Sequence, residues 1–560
     1  MYLTDKIEKL IQRAVVEYVR AAGISLSEIP TPDLDIPRIR EHGDFATNIA
    51  MQLTSHMRRP PMEIAASIAE RIPTEGTVIA RAEVARPGFI NIHVDPRELP
   101  FILRQILERK DTYGALNLGN NQRALVEFVS ANPTGPLHLG HCRNAVVGDS
   151  LSRILAFAGY AVEREYYFND AGAQMINLGK SLRARYLQQM GKDEPIPEDG
   201  YHGEYLIDIA RQLVQERSDA LVQTTELEPF ISYATSFILE FIRKDLADLR
   251  ISFDHYVSET EYHRRGKVDE VIEELRRRDM VYEHEGALWL KTTQFGDEKD
   301  RVLVKSNGEK TYLTPDIAYH RDKYLRGYDL LFNIFGGDHH GYIPRLKASM
   351  EALGFDSQRL HCLIIQMVTL KSGDDTVRFS KRAGGFITIR EMIDEVGADV
   401  VRFFFLMRTM GSQLLFDWDL AKNTSMDNPV YYVQYGYARC CSLFKKAQED
   451  NLDPAKVDSA DLSLLQLPEE QAVLKELALF PDVVRRSALY YEPSFIVNYS
   501  RQLAAVFHNF FTAGTRNPAL RIIIPGNIDL SYARLALVKG LQIVIRNAMS
   551  LISVSTPEEM

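Results

Sequence analysis

Hydrophobic and polar residues recur along this chain with two different periods, and the changes of period mark its elements. In MYLTDKIEKLIQRAVVEYV, Leu3, Ile7, Leu10, Ile11 and Val15 return at helical spacing, which predicts a packed helix. GFINIHV has a strand pattern and closes an α+β unit over residues 1–110, which also holds GDFATNIAMQL and the break MRRPP. DTYGALNLGNNQ, rich in Gly and Asn, reads as a linker. From about residue 122 the pattern becomes strand, loop, helix, strand: RALVEFVS, ANPTGPLHLGH (131–141), CRNAVVGDSLSRILAFAG and EREYYF. That order begins a parallel α/β sheet.

GKDEPIPEDGYHGE, 191–204, is a Pro/Gly/acid-rich break and predicts an insertion over about 185–265, inside a domain of residues 111–425. A helical region follows, including VDEVIEELRRRDM. The α/β pattern resumes at ALWLKTT and YDLLFNIFGGDHHGYIPRLKASMEALGF, and HCLIIQMVTL is a further strand. Residues 426–560 read as helical throughout. The expected fold is multidomain. A Rossmann-type parallel α/β domain with an insertion lies between an N-terminal α+β domain and a C-terminal all-α bundle. No fixed-period repeat or low-complexity tract is visible.

Composition narrows the classes. A chain of 560 residues exceeds one hydrophobic core, so three or more domains are expected. A net charge of −10 argues against non-specific nucleic-acid binding and against a DNA partner. It leaves room for RNA recognition through local basic patches and shape. The four cysteines form no C-x-x-C pair, so neither a zinc site nor a disulfide framework is expected, and a reducing cytoplasm is the natural compartment. The N-terminal stretch lacks the basic-then-apolar layout of a signal peptide, and Asp5, Glu8 and Glu17 argue against a mitochondrial presequence. No apolar run approaches the roughly 20 residues of a membrane span.

The candidate chemistry lies in three places. His138, Gly140 and His141 sit in HLGH at a strand-to-helix turn. Nucleotides bind at the carboxyl ends of such strands, and a helix N-terminus favours an anion. Gly140 would let an adenine ring lie against the backbone, and the histidines could donate to phosphate oxygens. Taken alone, the pair reads equally as two surface histidines on a loop. RFSKR (378–382), followed by AGG, is a basic loop that could close on a polyphosphate, or simply a solvated charged loop. In GGDHH (336–340), Asp338 could accept hydrogen bonds from ribose hydroxyls, although strand-end GGD is also ordinary turn chemistry.

In order and spacing, these three resemble the signatures of the class I aminoacyl-tRNA synthetases. HLGH fills the role of the histidine-glycine-histidine motif. RFSKR fills that of the lysine-serine-lysine loop, with Arg378 where the family often has lysine and Lys381 at the second lysine position. SANPTGPLHLGH, YYFNDAGAQM (166–175), YLTPDIAYH (312–320), GGDHHGYIPRL and DNPVYYVQYGYAR (427–439) are similar to the arginyl-tRNA synthetases of bacterial type. GDFATNIAM resembles that family's appended N-terminal domain. The likeness covers essentially the whole chain.

The resemblance implies a function and a site. Arginine would be activated by ATP to arginyl-adenylate and transferred to the 3′-terminal ribose of its tRNA, with activation dependent on that tRNA. The motif Ala131, Asn132, Pro133, Thr134, Gly135, Pro136, Leu137, His138, Leu139, Gly140 and His141 would bind ATP, joined by Gly337, Asp338, Met367, Val368, Ser380 and Lys381. His138, His141 and Lys381 would be catalytic, the last within a signature loop at about 371–390. Glu127, Asn132, Tyr312, Asp316 and His340 would bind arginine. A guanidinium is planar, charged and forked, so carboxylates and acceptors suit it. Phe45 and Asn48 would contact the tRNA elbow, and Tyr435 and Arg439 the anticodon region, with Tyr431, Tyr432 and Tyr437 as further stacking candidates. Mg²⁺ would accompany ATP, no zinc or other protein-held metal is expected, and the family is commonly monomeric. Cys142, beside the motif, reads as a packed thiol.

Overall fold

The structure, a computed structural model, describes residues 2–24, 29–35, 37, 42–373, 375–377 and 387–560. Five strands carry the site: β1 (Arg123–Glu127), β2 (Ala161–Phe168), β3 (His255–Ser258), β4 (Leu330–Gly336) and β5 (Leu360–Ile365). All pairs are parallel, in the order β5-β4-β1-β2-β3. The chain starts in the middle, winds outward through β2 and β3, then crosses to β4 and β5. The strand order therefore reverses between β1 and β4, and their carboxyl ends open the crevice where α/β sheets bind ligands. Ala124, Leu125 and Val126 of β1 are all buried, as a strand covered on both faces requires. The helix Leu139–Phe157 follows β1 and packs so tightly on it that a Cβ at Gly148 would lie 2.2 Å from the Phe128 ring.

Register adds something composition does not show. His255, Glu165, Glu127, Asn333 and Cys362 align as neighbours across β3, β2, β1, β4 and β5. Parallel strands in register place such a row on one face. The helix Leu313–Leu325 covers it: Lys323 contacts Glu127 and Asn333, and Tyr319 contacts Glu165.

The helices Ala173–Gln189, Tyr205–Arg217 and Glu228–Asp248 lie between β2 and β3, and the polar break 191–204 joins the first two. ALWL is not part of the parallel sheet. It is the middle strand of a separate three-stranded antiparallel sheet formed by Val281–His284, Ala287–Leu290 and Arg301–Val304. The reason is the two-residue turn Glu285-Gly286, both at positive φ (50° and 73°), which makes a tight hairpin. HCLIIQMVTL is likewise two strands. After β5 the chain leaves the main sheet, and Val368–Ser372 pairs instead with Leu414–Asp417.

The N-terminal domain packs the helix Leu3–Ala21 with a four-stranded sheet of Leu34–Asp35, Phe45–Thr47, Phe89–Val94 and Ile79–Ala85. The Gly/Asn-rich segment expected to be a linker is packed. Tyr113 is 1% exposed and donates to Leu477 O at 3.2 Å, and Gly114 has no room for a Cβ beside Phe480. The C-terminal bundle comprises Pro429–Glu449, Pro468–Ala478, Phe480–Leu489, Ser494–Arg516 and Ile528–Leu551. Among the described residues, no helix is long and apolar enough to cross a membrane.

Candidate active site

His138 is the N-cap of the helix Leu139–Phe157, with extended backbone (φ −112°, ψ 176°). Its Nδ1 accepts the Gly140 amide at 3.2 Å, and His141 Nδ1 accepts the His138 amide at 3.2 Å. Each ring so satisfies an N–H that the first turn leaves open. The rings lie 3.9 Å apart between centroids. Because Nδ1 accepts in both, the neutral rings carry their protons on Nε2, which is the donor. Burial holds both imidazoles below their usual range, His141 down to about 4, with His138 as a second cause. At neutral pH the helix mouth offers imidazole N–H donors without fixed positive charge. A Cβ at Gly140 would come 3.2 Å from His138 Cε1, so the glycine also makes room for the cap's own ring.

The turn before the motif is strained. Val129 and Ser130 have φ of 66° and 43°, a region that a β-branched residue avoids. Asn144, one turn into the helix, clamps it. Its Oδ1 accepts the Val129 amide at 2.7 Å while its Nδ2 donates to Ile334 O at 2.8 Å, tying the end of β1 to β4 at the reversal point. Arg143 is fully buried and donates to Gln366 O (2.7 Å), Thr409 O (2.9 Å) and Ser412 O (3.0 Å). Cys142 is buried, which raises its thiol far above the usual range; it is a packed thiol.

Ile387–Ile389 fastens onto the motif. Leu139 N donates to Ile387 O at 3.0 Å, Ile389 N donates to Leu137 O at 2.9 Å, and His138 and Thr388 form an antiparallel bridge. Ser380 and Lys381 lie outside the described residues, but the downstream end of their loop is bonded to HLGH. Across the crevice, a Cβ on Gly337 would sit 3.4 Å from Gln366 Oε1. Met367 is 74% exposed and Val368 half-buried. Asp338 is exposed, with Oδ1 3.0 Å from His339 Nδ1, and His340 is exposed.

Of the five arginine-site candidates, Glu127, which is buried, and Asp316, which is half-buried, are drawn into one network. Glu127 lies on the central strand and not on a water-facing edge. It is 6% exposed, accepts from Ser130 Oγ (2.8 Å) and Asn333 Nδ2 (2.6 Å), and ion-pairs with Lys323. Asp316 stands in the first turn of the helix Leu313–Leu325, whose N-cap is Tyr312. It accepts from Tyr342 Oη and from His320 Nδ1 (3.1 Å). Burial pushes its carboxyl up, but His320, Tyr342 and Lys323 outweigh burial and hold it below the usual carboxylate range. Asn132 Oδ1 accepts the Asn169 amide at 3.2 Å, and its Nδ2 donates to Gln174 Oε1 at 3.0 Å. Tyr312 is 80% exposed and joins neither carboxylate. Sequence reading missed His320, Lys323 and Asn333. The signal available was Asp316, His320 and Lys323 at i, i+4 and i+7, a polar stripe on one helix face.

At the C-terminal bundle, Arg439 lies over Tyr435 (4.5 Å) and Phe511 (4.2 Å) and donates to His508 Nδ1 at 3.0 Å. His508 Nε2 donates in turn to Tyr432 O at 3.0 Å. Tyr435 is 36% exposed, and Tyr437 is buried and is core. Phe45 is also a correction. At 1% exposure it packs inside the N-terminal sheet, because all three residues of its strand are buried, and it presents no ring to RNA. Asn48 is half-buried and accepts from Gln52 Nε2 at 2.8 Å.

Comparison with known proteins agrees domain by domain. Residues 102–402 match the catalytic domain of the class I (R) tRNA synthetases, and residues 433–560 match the DALR anticodon binding domain. Residues 3–94 match the arginyl tRNA synthetase N terminal domain. The reversed parallel sheet, the HLGH turn at its crevice and these matches define a class I aminoacyl-tRNA synthetase. The chain is 47% identical to the arginine–tRNA ligase of Geobacillus kaustophilus, over 100% of this chain and 99% of that one. It is 44% identical to that of Bacillus subtilis, over 100% of both. The Thermus thermophilus arginyl-tRNA synthetase structure shares the fold at a TM-score of 0.77 with 21% identity, covering 99% of this chain and 100% of that one. The chain belongs to the arginine–tRNA ligase family.

Proposed function

We propose how this site carries out its family's reaction. The chain is an ATP-dependent arginine–tRNA ligase. The arginine carboxylate attacks the α-phosphorus of ATP, pyrophosphate leaves, and a terminal ribose hydroxyl of tRNA then takes the arginyl group, by likeness the 2′-OH. In our reading, the Nε2–H groups of His138 and His141 donate to phosphate oxygens at the helix mouth. Such donors stabilise charge that builds up during transfer. Gly140, Gly337, Asp338, Met367 and Val368 line the adenosine side, and Lys381 with Ser380 holds the leaving pyrophosphate. The observation that carries this reading is the bridge of Ile387–Ile389 onto Leu137–Leu139, which keeps the end of that loop against the histidines.

Arginine takes its place against Asp316, Glu127 and Asn132, with Tyr312 and His340 closing in from the rim. A buried carboxylate left unpaired by citrulline or glutamine is costly, so binding alone can discriminate. Tyr435 and Arg439 offer a stacking face to unpaired bases of the tRNA, and Asn48 remains the contact on the N-terminal domain. Among the described residues, no group of three or more His, Cys, Asp or Glu could hold a metal ion. The donors beside HLGH are imidazoles and amides, a poor fit to a hard cation, so Mg²⁺ belongs with the nucleotide and no step is assigned to it. We take the chain as a monomer acting in the cytoplasm; its four free thiols suit a reducing compartment.

The test is arginine-dependent ATP–pyrophosphate exchange with and without the cognate tRNA. Exchange that appears with arginine and only with the tRNA is the expected result. Exchange without tRNA overturns the tRNA requirement alone. Exchange with another amino acid and not with arginine overturns the reading of the pocket.

A further inference from the structure

Lys323 is a cation with no exposed surface, set under the pocket that takes a cationic substrate. Its Nζ ion-pairs with Glu127, donates to Asn333 Oδ1 at 3.1 Å and lies 4.2 Å from the centre of the Tyr319 ring. An ammonium donates only, so the Asn333 atom facing it must be the carbonyl oxygen. That fixes the amide. Asn333 Nδ2 then donates both to Glu127 (2.6 Å) and to His320 Nε2 (2.9 Å). His320 Nε2 is therefore an acceptor, and the ring's proton is on Nδ1. There it donates to Asp316, whose Oδ1 is 3.1 Å away and whose backbone oxygen is 2.9 Å away. One buried ammonium thus sets the hydrogen-bond direction at both carboxylates.

We propose that Lys323 is a positioning residue for arginine selection, fixing Glu127 directly and Asp316 through Asn333 and the Nδ1–H tautomer of His320. This rests on the reading that Asp316 binds the substrate. Physically, the relay does two things. It presents Asp316 as an oriented acceptor, and it occupies His320 Nε2 with a donated hydrogen bond, so that the ring's N–H stays on the side of the carboxylate. The alternative tautomer would aim a lone pair at the carboxylate and turn it out of line. Lys323 also offsets one of the two carboxylate charges, which leaves one for the substrate side chain. The polar and titratable groups of this network are Asp316, Tyr319 and Lys323 on the helix of His320, Glu127 on β1, Asn333 on β4, Cys362 beside Asn333 on β5, Tyr342 on Asp316, and the pair Tyr167 and Glu259, whose charges act on Asp316.

The experiment compares steady-state aminoacylation by Lys323→Gln, Asn333→Asp and Asp316→Asn in the full-length chain, with arginine and ATP varied separately. In Lys323→Gln the charge is lost, and the amide, one atom shorter than the ammonium, meets Glu127 without an ion pair. The arginine KM rises at least tenfold, while kcat and the ATP KM stay within about threefold. Asn333→Asp puts an acceptor where His320 Nε2 needs a donor. The extra proton that this arrangement demands gives the arginine KM a pH dependence that the parent lacks. A merely structural role would not move that profile, and this variant keeps the test open if Lys323→Gln does not fold. An unchanged arginine KM in Lys323→Gln, an equal rise in both KM values, or a parental pH profile in Asn333→Asp overturns the relay. If Asp316→Asn itself leaves the arginine KM unaltered, it is the pocket reading that fails.

Discussion

At the scale of single residues, the site is built from side chains that serve the backbone first and the substrate second. Gly140 illustrates this. The sequence suggests room for adenine, and the structure adds that a methyl there would press on the His138 ring at 3.2 Å. Gly140→Ala should therefore move a ring that caps the helix and that we propose donates to phosphate. We expect kcat/KM for ATP to fall about 10- to 100-fold, ~1.4–2.7 kcal/mol of transition-state stabilisation, with arginine KM little changed. A normal ATP dependence would show that the ring tolerates the methyl. His141 yields a second prediction. Burial holds its folded-state value to about 4, below the 6.5 of a free imidazole. Between those values the unfolded chain binds a proton that the folded chain does not. Stability is full above pH 6.5 and is lost as pH falls toward 4. His141→Gln removes this term, so its melting temperature should drop less steeply than the parent's over that window. Parallel curves would place the acid sensitivity elsewhere.

At the scale of elements, strand, strained turn and helix cap form one unit held by Asn144. The left-handed Val129 and Ser130 turn the chain out of β1, and Asn144 bonds both Val129 N and Ile334 O. Asn144→Ala would leave those groups without their partner. An unsatisfied buried polar group costs about 1–3 kcal/mol, so urea denaturation should show a loss of about 2–4 kcal/mol. Exchange activity should fall beyond what the lost stability explains, because the histidines hang from the same turn. Loss of stability with full activity in the folded fraction would separate the clamp from the site. The parallel strands, the motif helix and the C-terminal bundle were legible in the sequence because each has a long, regular apolar period. The sheet 281–304 was not, because four-residue strands joined by Glu285-Gly286 carry too little pattern to say which sheet they join. The buried row Glu165, Glu127, Asn333 was hidden for another reason. Its members sit on different strands, far apart in the chain, and only register brings them together. Phe45 misled because an aromatic in a family motif looks the same in sequence whether it stacks on a base or fills a core.

At the scale of the whole molecule, the active site is coupled to the rest of the chain through Arg402. It is fully buried and reaches three parts at once. Nη2 meets Asp149 Oδ2 of the motif helix at 2.5 Å, Nη1 donates to Leu249 O at the end of an insertion helix at 2.8 Å, and Nε donates to Ile552 O past the last bundle helix at 2.7 Å. Asp149 is buried too, and its carboxyl is held low against burial by Arg402, Arg153 and Arg164. Removing one member of a buried pair strands the other, at about 3–5 kcal/mol. Arg402→Met should destabilise the protein by that order. It should also raise the tRNA KM in aminoacylation, because the bundle that carries Tyr435 loses its tie to the helix that carries His138. Stability and coupling can be separated with Arg402→Met/Asp149→Leu. Replacing both charges with apolar groups removes the stranded carboxylate, and Arg153 and Arg164 keep 30% and 22% side-chain exposure with which to find water. The double variant should recover most of the melting temperature. It should not recover the tRNA KM, since the bonds to Leu249 and Ile552 are still missing. If both recover together, the tRNA effect was instability alone. If neither recovers, the carbonyl contacts and not the ion pair hold the domains in place.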